Sequence, residues 1–270
     1  MKTNHTFAII AYKDSVFLED CIRSLKQQSI SSNIIICTST PTKHTREIAN
    51  KHGIEIKVNP IKGKANDWNF ALSQAKTGYV TLAHHDDMYY PEFTKKLLNG
   101  FRRNSNAVIG FTDYIESFVL SNKKQVIKKN TPNLIVKRIL VRLFFFFGDT
   151  IHTIFLKKLF LSFGDPICCP AVMFNKRKLT SFLFDSAFKI NIDWDAWLQL
   201  SNKSGDFIAI KEVLLNHRIH EKSGTTEAIT GKERLKEDQI IFRKIWPKFI
   251  ADLLTNIYSL SYKGNNISYG

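Results

Sequence analysis

Apolar and polar positions along the first half of the chain follow the pattern of strands alternating with helices. Short apolar runs indicate buried strands, and the stretches between them repeat apolar residues every three or four positions, as one face of a helix does. The predicted strands are 7–12, 33–38, 54–58, 79–83 and 107–112, and the predicted helices are 15–28, 41–52, 66–76 and 91–104. Such alternation predicts parallel strands joined by crossover helices, with ligands bound beyond the carboxyl ends of the strands.

The regular alternation ends after Tyr114. The second half is predicted to contain a strand at 170–174, a helix at 193–202, strands at 206–210 and 214–219, terminal helices at 232–245 and 247–260, and a polar tail at 263–270. No repeat or low-complexity linker divides the chain. We therefore expect an α/β fold with a mostly parallel central sheet flanked by helices, and a helical extension at its C-terminal end.

Composition narrows the class of protein. The chain has 270 residues, of which 44% are hydrophobic, and can bury a substantial core. Its four cysteines show neither C-x-x-C spacing nor the paired pattern of secreted scaffolds, which favours a reducing cytoplasm. The apolar run near the N-terminus is too short for a signal peptide, and no stretch reaches the roughly 20 apolar residues of a spanning helix. We expect a cytoplasmic protein.

The net charge of +15 is unevenly distributed. Nine Lys and Arg residues lie between Asn122 and Phe163, opposed only by Asp149 and interleaved with apolar clusters. A basic amphipathic segment of this kind is attracted to anionic lipid head groups, and the alternative is a pair of core helices with solvated charges. Nucleic acid is disfavoured as a partner, because stacking aromatics on a basic strand surface are not evident.

Two acidic clusters carry the candidate chemistry. His84-His85-Asp86-Asp87 follows a predicted strand, and Asp193-Trp194-Asp195 opens a predicted helix. Adjacent carboxylates at a strand end suit a divalent cation that holds a diphosphate, and a distant carboxylate could activate a hydroxyl nucleophile. Taken singly, each cluster has a structural alternative: the first could cap a helix, and Asp193 could be an N-cap with Asp195 complementing the helix dipole.

Together the clusters suggest group transfer from a nucleotide. Nucleotidyl transfer is one such reaction, but it would normally show a glycine-rich phosphate loop near the first strand. Residues 11–15, which follow that strand, contain no glycine, and this argues against nucleotidyl transfer.

The order of these motifs resembles family 2 glycosyltransferases of the GT-A fold, in the branch that builds bacterial surface polysaccharides. The resemblance runs from about residue 7 to residue 226, and it rests on Tyr12, residues 18–25, Asn69 with Ala71, residues 77–80, Asp86-Asp87 with Pro91, and residues 193–198. It implies an inverting enzyme that moves a sugar from a nucleotide diphosphate to a hydroxyl, assisted by Mg or Mn. It also implies a catalytic domain at 1–230, with a nucleotide-sugar half at 1–115 and an acceptor half at 116–230, and an extension at 231–270.

The resemblance implies a role for each acidic residue. Asp87 would be a metal ligand, and Asp86 would face the ribose or a metal-bound water. Asp193 would be the general base that deprotonates the acceptor hydroxyl, with Asp195 as the alternative.

Further candidates lie in other segments. Along a predicted strand, Arg218 and His220 share one face while His217 points the other way. Similar segments of the family lie near the diphosphate, so Arg218 could bind phosphate and His220 could be a third metal ligand or a phosphate donor. Tyr12 and Trp68 could stack on the base or sugar, with buried packing as the alternative for both.

Three positions depart from the family pattern. Residues 37–40 lie where many relatives carry an Asp that reads the nucleobase, His84 replaces an Asp, and Ile192 replaces an acid. The leading hypothesis is an enzyme at the inner face of the cell membrane that acts on a nucleotide-sugar donor and a lipid-linked saccharide acceptor. The alternative is a catalytically degenerate nucleotide-sugar-binding protein or scaffold of a glycan-assembly complex.

Overall fold

The computed structural model describes residues 3–120, 125–220 and 232–260. Its strands are β1 (His5–Ile10), β2 (Asn33–Thr38), β3 (Glu55–Val58), β4 (Tyr79–His84), β5 (Met88–Tyr89), β6 (Ala107–Val119), β7 (Gln125–Lys128), β8 (Thr150–Ile151), β9 (Val172–Asn175) and β10 (Asp206–Ile219). Its helices are α1 (Leu18–Lys26), α2 (Lys43–His52), α3 (Lys64–Gln74), α4 (Phe93–Arg103), α5 (Pro132–Phe144), α6 (Ile154–Phe160), α7 (Ile192–Ser201), α8 (Lys232–Ile245) and α9 (Lys248–Ser259).

These strands form one sheet in the order β3-β2-β1-β4-β9-β6-β10-β5, with β7 paired to β6 and β8 paired to β10. The α/β fold with a central sheet flanked by helices is confirmed, and β3, β2, β1 and β4 are parallel neighbours as expected. All six residues of β1 are buried, which explains the apolar run from Phe7 to Ile10. The carboxyl ends of β1 and β4 coincide, since Ile10 pairs with His84.

Beyond β4 the sheet is mixed. Strand β9 enters between β4 and β6 and is antiparallel to both, whereas β10 is parallel to β6. The prediction of two strands at 206–210 and 214–219 is wrong, because β10 is one strand whose register shifts between Ile210 and Val213 and again before Leu215. These bulges bend β10 so that its second half pairs with the extended end of β6, which was predicted to stop at residue 112.

The terminal helices pack against α7. The indole of Trp194 lies perpendicular to the ring of Phe242, with ring centroids 5.0 Å apart, and 5.5 Å from the ring of Tyr258. The Glu237 carboxylate accepts backbone N–H bonds from Lys189, Ile190 and Asn191, just before α7 begins. The helical extension therefore fixes the start of α7, and the predicted tail at 263–270 lies outside the described residues.

Residues 121–124, at the start of the basic amphipathic segment, are not described. From residue 125 onward, the segment forms β7, α5, β8 and α6. Leu134, Phe145 and Phe160 are buried, as a core interpretation requires. Phe146 and Phe147, in contrast, are 74% and 100% exposed. The segment thus contributes to the core on one side and leaves apolar side chains in solvent on the other. No helix in the described ranges combines the length and apolar character needed to cross a membrane.

Candidate active site

The first acidic cluster lies in the turn between β4 and β5. The N–H of Asp87 donates to the carbonyl of His84 over 3.2 Å, which closes the turn. The two residues of β5 then pair with Leu215 and Asn216 of β10. Because β5 is held by β10, the turn lies beside the last residues of β10, where His217 and Arg218 contact Asp87.

Asp87 is fully buried and fixed by β10. Its Oδ1 accepts hydrogen bonds from His217 Nδ1 and from the Arg218 backbone N–H, both over 2.9 Å. Burial acts to lower the pKa of His217, but the charge of Asp87 and its hydrogen bond raise the pKa to about 9. His217 is therefore protonated at neutral pH and donates to the Asp87 carboxylate. The contact between His217 and Asp87 was missed by sequence reasoning, which only placed His217 on the opposite face from Arg218.

The buried polar atoms near this turn that have no hydrogen-bond partner among the described residues include Asp87 Oδ2 and His84 Nε2. The ligand atoms of His84, Asp86 and Asp87 lie within 4.8 Å of one another. Burial lowers the pKa of His84, so its imidazole is neutral at neutral pH and has a free lone pair. Two carboxylates and a neutral imidazole fit a divalent cation.

His220 contacts this cluster without being one of its three members. Its Nε2 lies 3.2 Å from Asp86 Oδ2. Burial acts to raise the pKa of Asp86, but the hydrogen bond with His220 and the charges of nearby histidines hold the pKa below its usual range. Asp86 is therefore ionised at neutral pH.

Arg218, in β10, and His220, one residue beyond the end of β10, both lie against the ring of Phe17. The Arg218 guanidinium lies 4.3 Å from the ring centroid of Phe17, and the His220 ring lies 5.0 Å from the same ring. Arg218 is 3% exposed, and its Nη1 is 3.6 Å from the Asp20 carboxylate. Binding of a donor phosphate by Arg218 stays a prediction.

The second acidic cluster lies in the first turn of α7. The N-cap is Asn191, so the alternative that Asp193 caps the helix is wrong. Asp193 is half-buried, and its Oδ1 accepts only the neighbouring Trp194 N–H, over 3.0 Å, within the described chain. Asp195 is buried, and its carboxylate accepts hydrogen bonds from Lys244 at 2.6 Å and Gln199 at 2.7 Å. Asp193 is thus the carboxylate of the pair that has no cationic partner in the described residues.

Both acidic clusters border the region around Cys168. Burial raises the pKa of the Cys168 thiol, and the charges of Asp87 and Asp193 raise it further. The charges of Asp87 and Asp193 thus both act on the Cys168 side chain.

Asp165 is a further carboxyl group at this site that no sequence motif marked. Burial raises its pKa well above the usual range, the charge of Asp193 raises it further, and Lys137 opposes the shift. The Lys137 ammonium donates to the Tyr114 hydroxyl over 3.2 Å. Asp165 follows Gly164 in a connecting segment outside any predicted element, so only the folded structure reveals that it is buried and that the charge of Asp193 acts on it.

The two aromatic candidates occupy different environments. Trp68 is 2% exposed, and its ring lies 5.4 Å from the His84 ring and 5.0 Å from the Phe184 ring. Tyr12 is 51% exposed just beyond the end of β1. Trp68 therefore packs directly against the metal-site candidate, and stacking of either ring on a base or sugar stays a prediction.

The fold and this site together define a GT-A glycosyltransferase. The chain belongs to glycosyl transferase family 2, whose family model matches residues 6–181. An uncharacterized glycosyltransferase of Rickettsia typhi is 24% identical over 251 residues, which cover 91% of this chain and 71% of the relative.

Among solved structures, the chain is similar to S. aureus TarS 1–349 in complex with UDP-GlcNAc, with a TM-score of 0.63, 14% identity, and coverage of 97% of this chain and 72% of the other. It is also similar to the mannosyltransferase PcManGT of Pyrobaculum calidifontis in complex with GDP-Man and Mn2+. That match has a TM-score of 0.65, 12% identity, and coverage of 97% and 73%. At these identities the likeness establishes the shared fold.

Proposed function

We propose that the protein is an inverting, metal-dependent glycosyltransferase that moves a sugar from a nucleoside-diphosphate donor to a hydroxyl of a lipid-linked saccharide in surface-polysaccharide assembly. The observation that carries the proposal is the cluster of His84, Asp86 and Asp87, whose ligand atoms lie within 4.8 Å of one another at the end of β4, in a chain of glycosyl transferase family 2. The complexes of TarS with UDP-GlcNAc and of PcManGT with GDP-Man and Mn2+ support a nucleotide-sugar donor.

The proposed reaction uses Asp193 as the base, because Asp195 is paired with Lys244 whereas Asp193 has no cationic partner in the described residues. Asp193 takes the proton of the acceptor hydroxyl as that oxygen forms a bond to the anomeric carbon of the sugar. The bond from the anomeric carbon to the diphosphate oxygen breaks at the same time, and the diphosphate leaves with the electron pair. Attack from the face opposite the leaving group inverts the anomeric configuration. A general base of this kind contributes about 10²- to 10⁴-fold to the rate.

The leaving diphosphate requires positive charge near it. His84, Asp86 and Asp87 would hold a divalent cation, which when bound supplies a fixed charge beside the diphosphate. Arg218, fixed against Phe17, is the nearby cationic side chain that would bind a phosphate oxygen. His217 keeps Asp87 in place by the hydrogen bond to its Oδ1.

A cleft beside α5 supports an anionic lipid-linked acceptor. It is lined by Lys137, Arg138, Arg142 and Lys211 around an apolar floor that includes Leu134. Among the described residues, Asp113 is the one carboxylate that lines the cleft, and it is paired with Arg138. The lining therefore carries an excess of positive charge. An acceptor with a lipid phosphate matches this combination of cationic rim and apolar floor.

Exposed apolar side chains beside the cleft support contact with a membrane surface. Leu143, Phe146, Phe147 and Phe155 are 66%, 74%, 100% and 71% exposed. Aromatic side chains surrounded by Lys and Arg bind the interface of bilayers that contain anionic lipids. We place the enzyme at the inner face of the cell membrane, where a lipid-linked acceptor would be presented to the cleft.

Two measurements test the transferase proposal. A thermal-shift screen of nucleotide sugars with and without Mn2+ identifies the donor, because a ligand that binds only the folded state raises the melting temperature. Release of nucleoside diphosphate is then measured with lipid-linked saccharide acceptors for the wild type, Asp193→Asn, and the surface control Asp149→Asn. We expect turnover in the wild type and the control only, with inverted product by NMR. Donor binding without transfer to any acceptor would instead favour the degenerate binding protein or scaffold.

Sedimentation with vesicles tests the membrane part separately. We expect the protein to bind phosphatidylglycerol vesicles at low salt and to lose at least about tenfold in affinity in Phe146→Ser/Phe147→Ser. Ile61→Ser, which removes a 62% exposed apolar side chain elsewhere, is the matched control. Equal binding by the double variant and the control, or no binding by the wild type, would contradict membrane association.

A further inference from the structure

The metal-site candidate contains a nitrogen donor in a defined position. His84 is the last residue of β4, where it pairs with Ile10 of β1, and its carbonyl accepts bonds from the Asp87 N–H and the Cys21 thiol. The Trp68 ring lies 5.4 Å from the imidazole ring. Backbone and ring are thus both fixed by packing, so the direction of Nε2 is set before any ligand binds.

The donor atom itself is buried. His84 Nε2 has no hydrogen-bond partner among the described residues, and the same holds for Asp87 Oδ2. Buried polar atoms are nearly always paired in folded proteins, because leaving one unpaired costs about 1–3 kcal/mol. One ligand atom from each of His84, Asp86 and Asp87 fits within a mutual distance of 4.8 Å. A single cation would satisfy both unpaired atoms.

We propose that His84 Nε2 binds the cation directly, and that this nitrogen ligand makes the site select a divalent transition metal over Mg2+. The inference rests on the proposed function, since it concerns the cation that accompanies the donor diphosphate. Mg2+ takes oxygen ligands at short distances in near-ideal octahedral geometry, whereas imidazole is a good ligand for first-row transition metals. For a site with a nitrogen donor, affinity rises from Mn2+ to Co2+, and we place Mg2+ below both.

Mn2+ is the probe for the test, since it is paramagnetic. Purified protein labelled with 15N is mixed with Mn2+ and unlabelled nucleoside diphosphate, and pulsed electron paramagnetic resonance records the nuclei coupled to the metal. Labelling the protein alone separates a protein nitrogen from any nitrogen of the nucleobase. We expect a directly coupled 15N in the wild type and in His152→Asn, whose side chain is 69% exposed and lies outside the cluster. We expect no such coupling in His84→Asp or His84→Gln.

Calorimetric titration gives the selectivity. In the presence of nucleoside diphosphate, we expect the wild type to bind Mn2+ at least about tenfold more tightly than Mg2+, and Co2+ more tightly than Mn2+. His84→Asp converts the donor set to oxygen alone, and its Mn2+ to Mg2+ affinity ratio should fall toward that of the free nucleotide. His84→Gln adds no charge beside Asp86 and Asp87, and its Mn2+ to Mg2+ affinity ratio should fall in the same way. It serves as the second variant in case His84→Asp does not fold.

Failure of the inference on His84 can be distinguished from failure of the proposed function. Mn2+ bound with nucleotide but without a coupled protein nitrogen, or an unchanged affinity ratio in both variants, would overturn the role of His84 and leave the transferase proposal standing. A wild type that binds neither nucleoside diphosphate nor Mn2+ would overturn both.

Discussion

Replacing Asp193 or Asp195 of α7 with Asn, one at a time, distinguishes a catalytic carboxylate from a structural one. Asp195 is 2% exposed and bound by Lys244 at 2.6 Å and Gln199 at 2.7 Å, whereas Asp193 pairs with no cation in the described chain. We therefore expect Asp195→Asn to lower stability while turnover stays within about threefold of the wild type. We expect Asp193→Asn to fold normally and to lose turnover by about 10²- to 10⁴-fold.

The size of the stability effect follows from burial. A hydrogen bond to a charged group contributes about 1.5–3 kcal/mol, but Lys244 is 44% exposed and regains water when its partner is neutral. Asp195→Asn should therefore cost about 1–2 kcal/mol, or about 2–4 °C in melting temperature. Lys244→Gln removes the same pair from the other side and leaves a buried carboxylate without its cation, so it should cost more, about 3 kcal/mol. In Asp193→Asn the amide oxygen can still accept the Trp194 N–H, and stability should change by less than about 0.5 kcal/mol.

The assay combines thermal unfolding of the three variants with nucleoside-diphosphate release at saturating donor. The reasoning is refuted if Asp195→Asn abolishes turnover while remaining folded and Asp193→Asn retains it, because the base would then be Asp195. Equal stability losses in Asp195→Asn and Lys244→Gln would show that the free-energy cost of leaving the buried Asp195 carboxylate unpaired is smaller than expected.

Three further predictions follow from the same structure. His5 is fully buried between Ser32 and Thr81, and burial lowers its pKa from 6.5 to about 3, so the unfolded state binds a proton more readily. Stability should fall as the pH drops from 6.5 toward 3, by up to about 1.4 kcal/mol per pH unit from this group, and His5→Gln should flatten that slope in urea unfolding. Removing divalent cations with EDTA should abolish most of the melting-temperature increase produced by the donor nucleotide, since the diphosphate loses its counter-charge. Gly205→Ala should destabilise the fold by about 1–3 kcal/mol in chemical denaturation, because φ is +108° and the added Cβ would lie 3.1 Å from the Asn106 carbonyl oxygen.

Each of these predictions has a contradicting result. A pH slope that is identical in wild type and His5→Gln would show that His5 does not titrate differently on unfolding. A donor-induced stabilisation that survives EDTA would remove the cation from the binding step. Gly205→Ala with wild-type stability would mean that the backbone at residue 205 relaxes without cost.

Much of the first half of the fold was predictable because its strands are buried on both faces. Strands β1, β2 and β4 lie within two residues of their predicted bounds at either end, and the His84–Asp87 turn follows β4 as expected. The second helix ends where it was predicted to end, at His52 before Gly53 with φ +62°. It starts, however, at Lys43 with Thr42 as its N-cap, two residues after the predicted start at residue 41.

The remaining features depend on contacts between distant segments. The antiparallel insertion of β9 between β4 and β6 leaves no local signal, because either orientation buries the same side chains. The bulged β10 was read as two strands, since Lys211 and Glu212 interrupt its apolar pattern. The bonds from His217 to Asp87 and from Lys244 to Asp195 join residues far apart in the chain, so the support of the site appears only once the chain is folded.

A crystal structure with the donor nucleotide sugar and Mn2+ tests the central claim most directly. Anomalous scattering at the manganese edge would locate the ion, which we expect between the donor diphosphate and the side chains of His84, Asp86 and Asp87. The Asp193 carboxylate should then face the anomeric carbon from the side opposite the diphosphate, with room for one hydroxyl between them. A diphosphate bound away from the β4–β5 turn, or an Asp193 carboxylate that does not share a cavity with the sugar, would contradict the account.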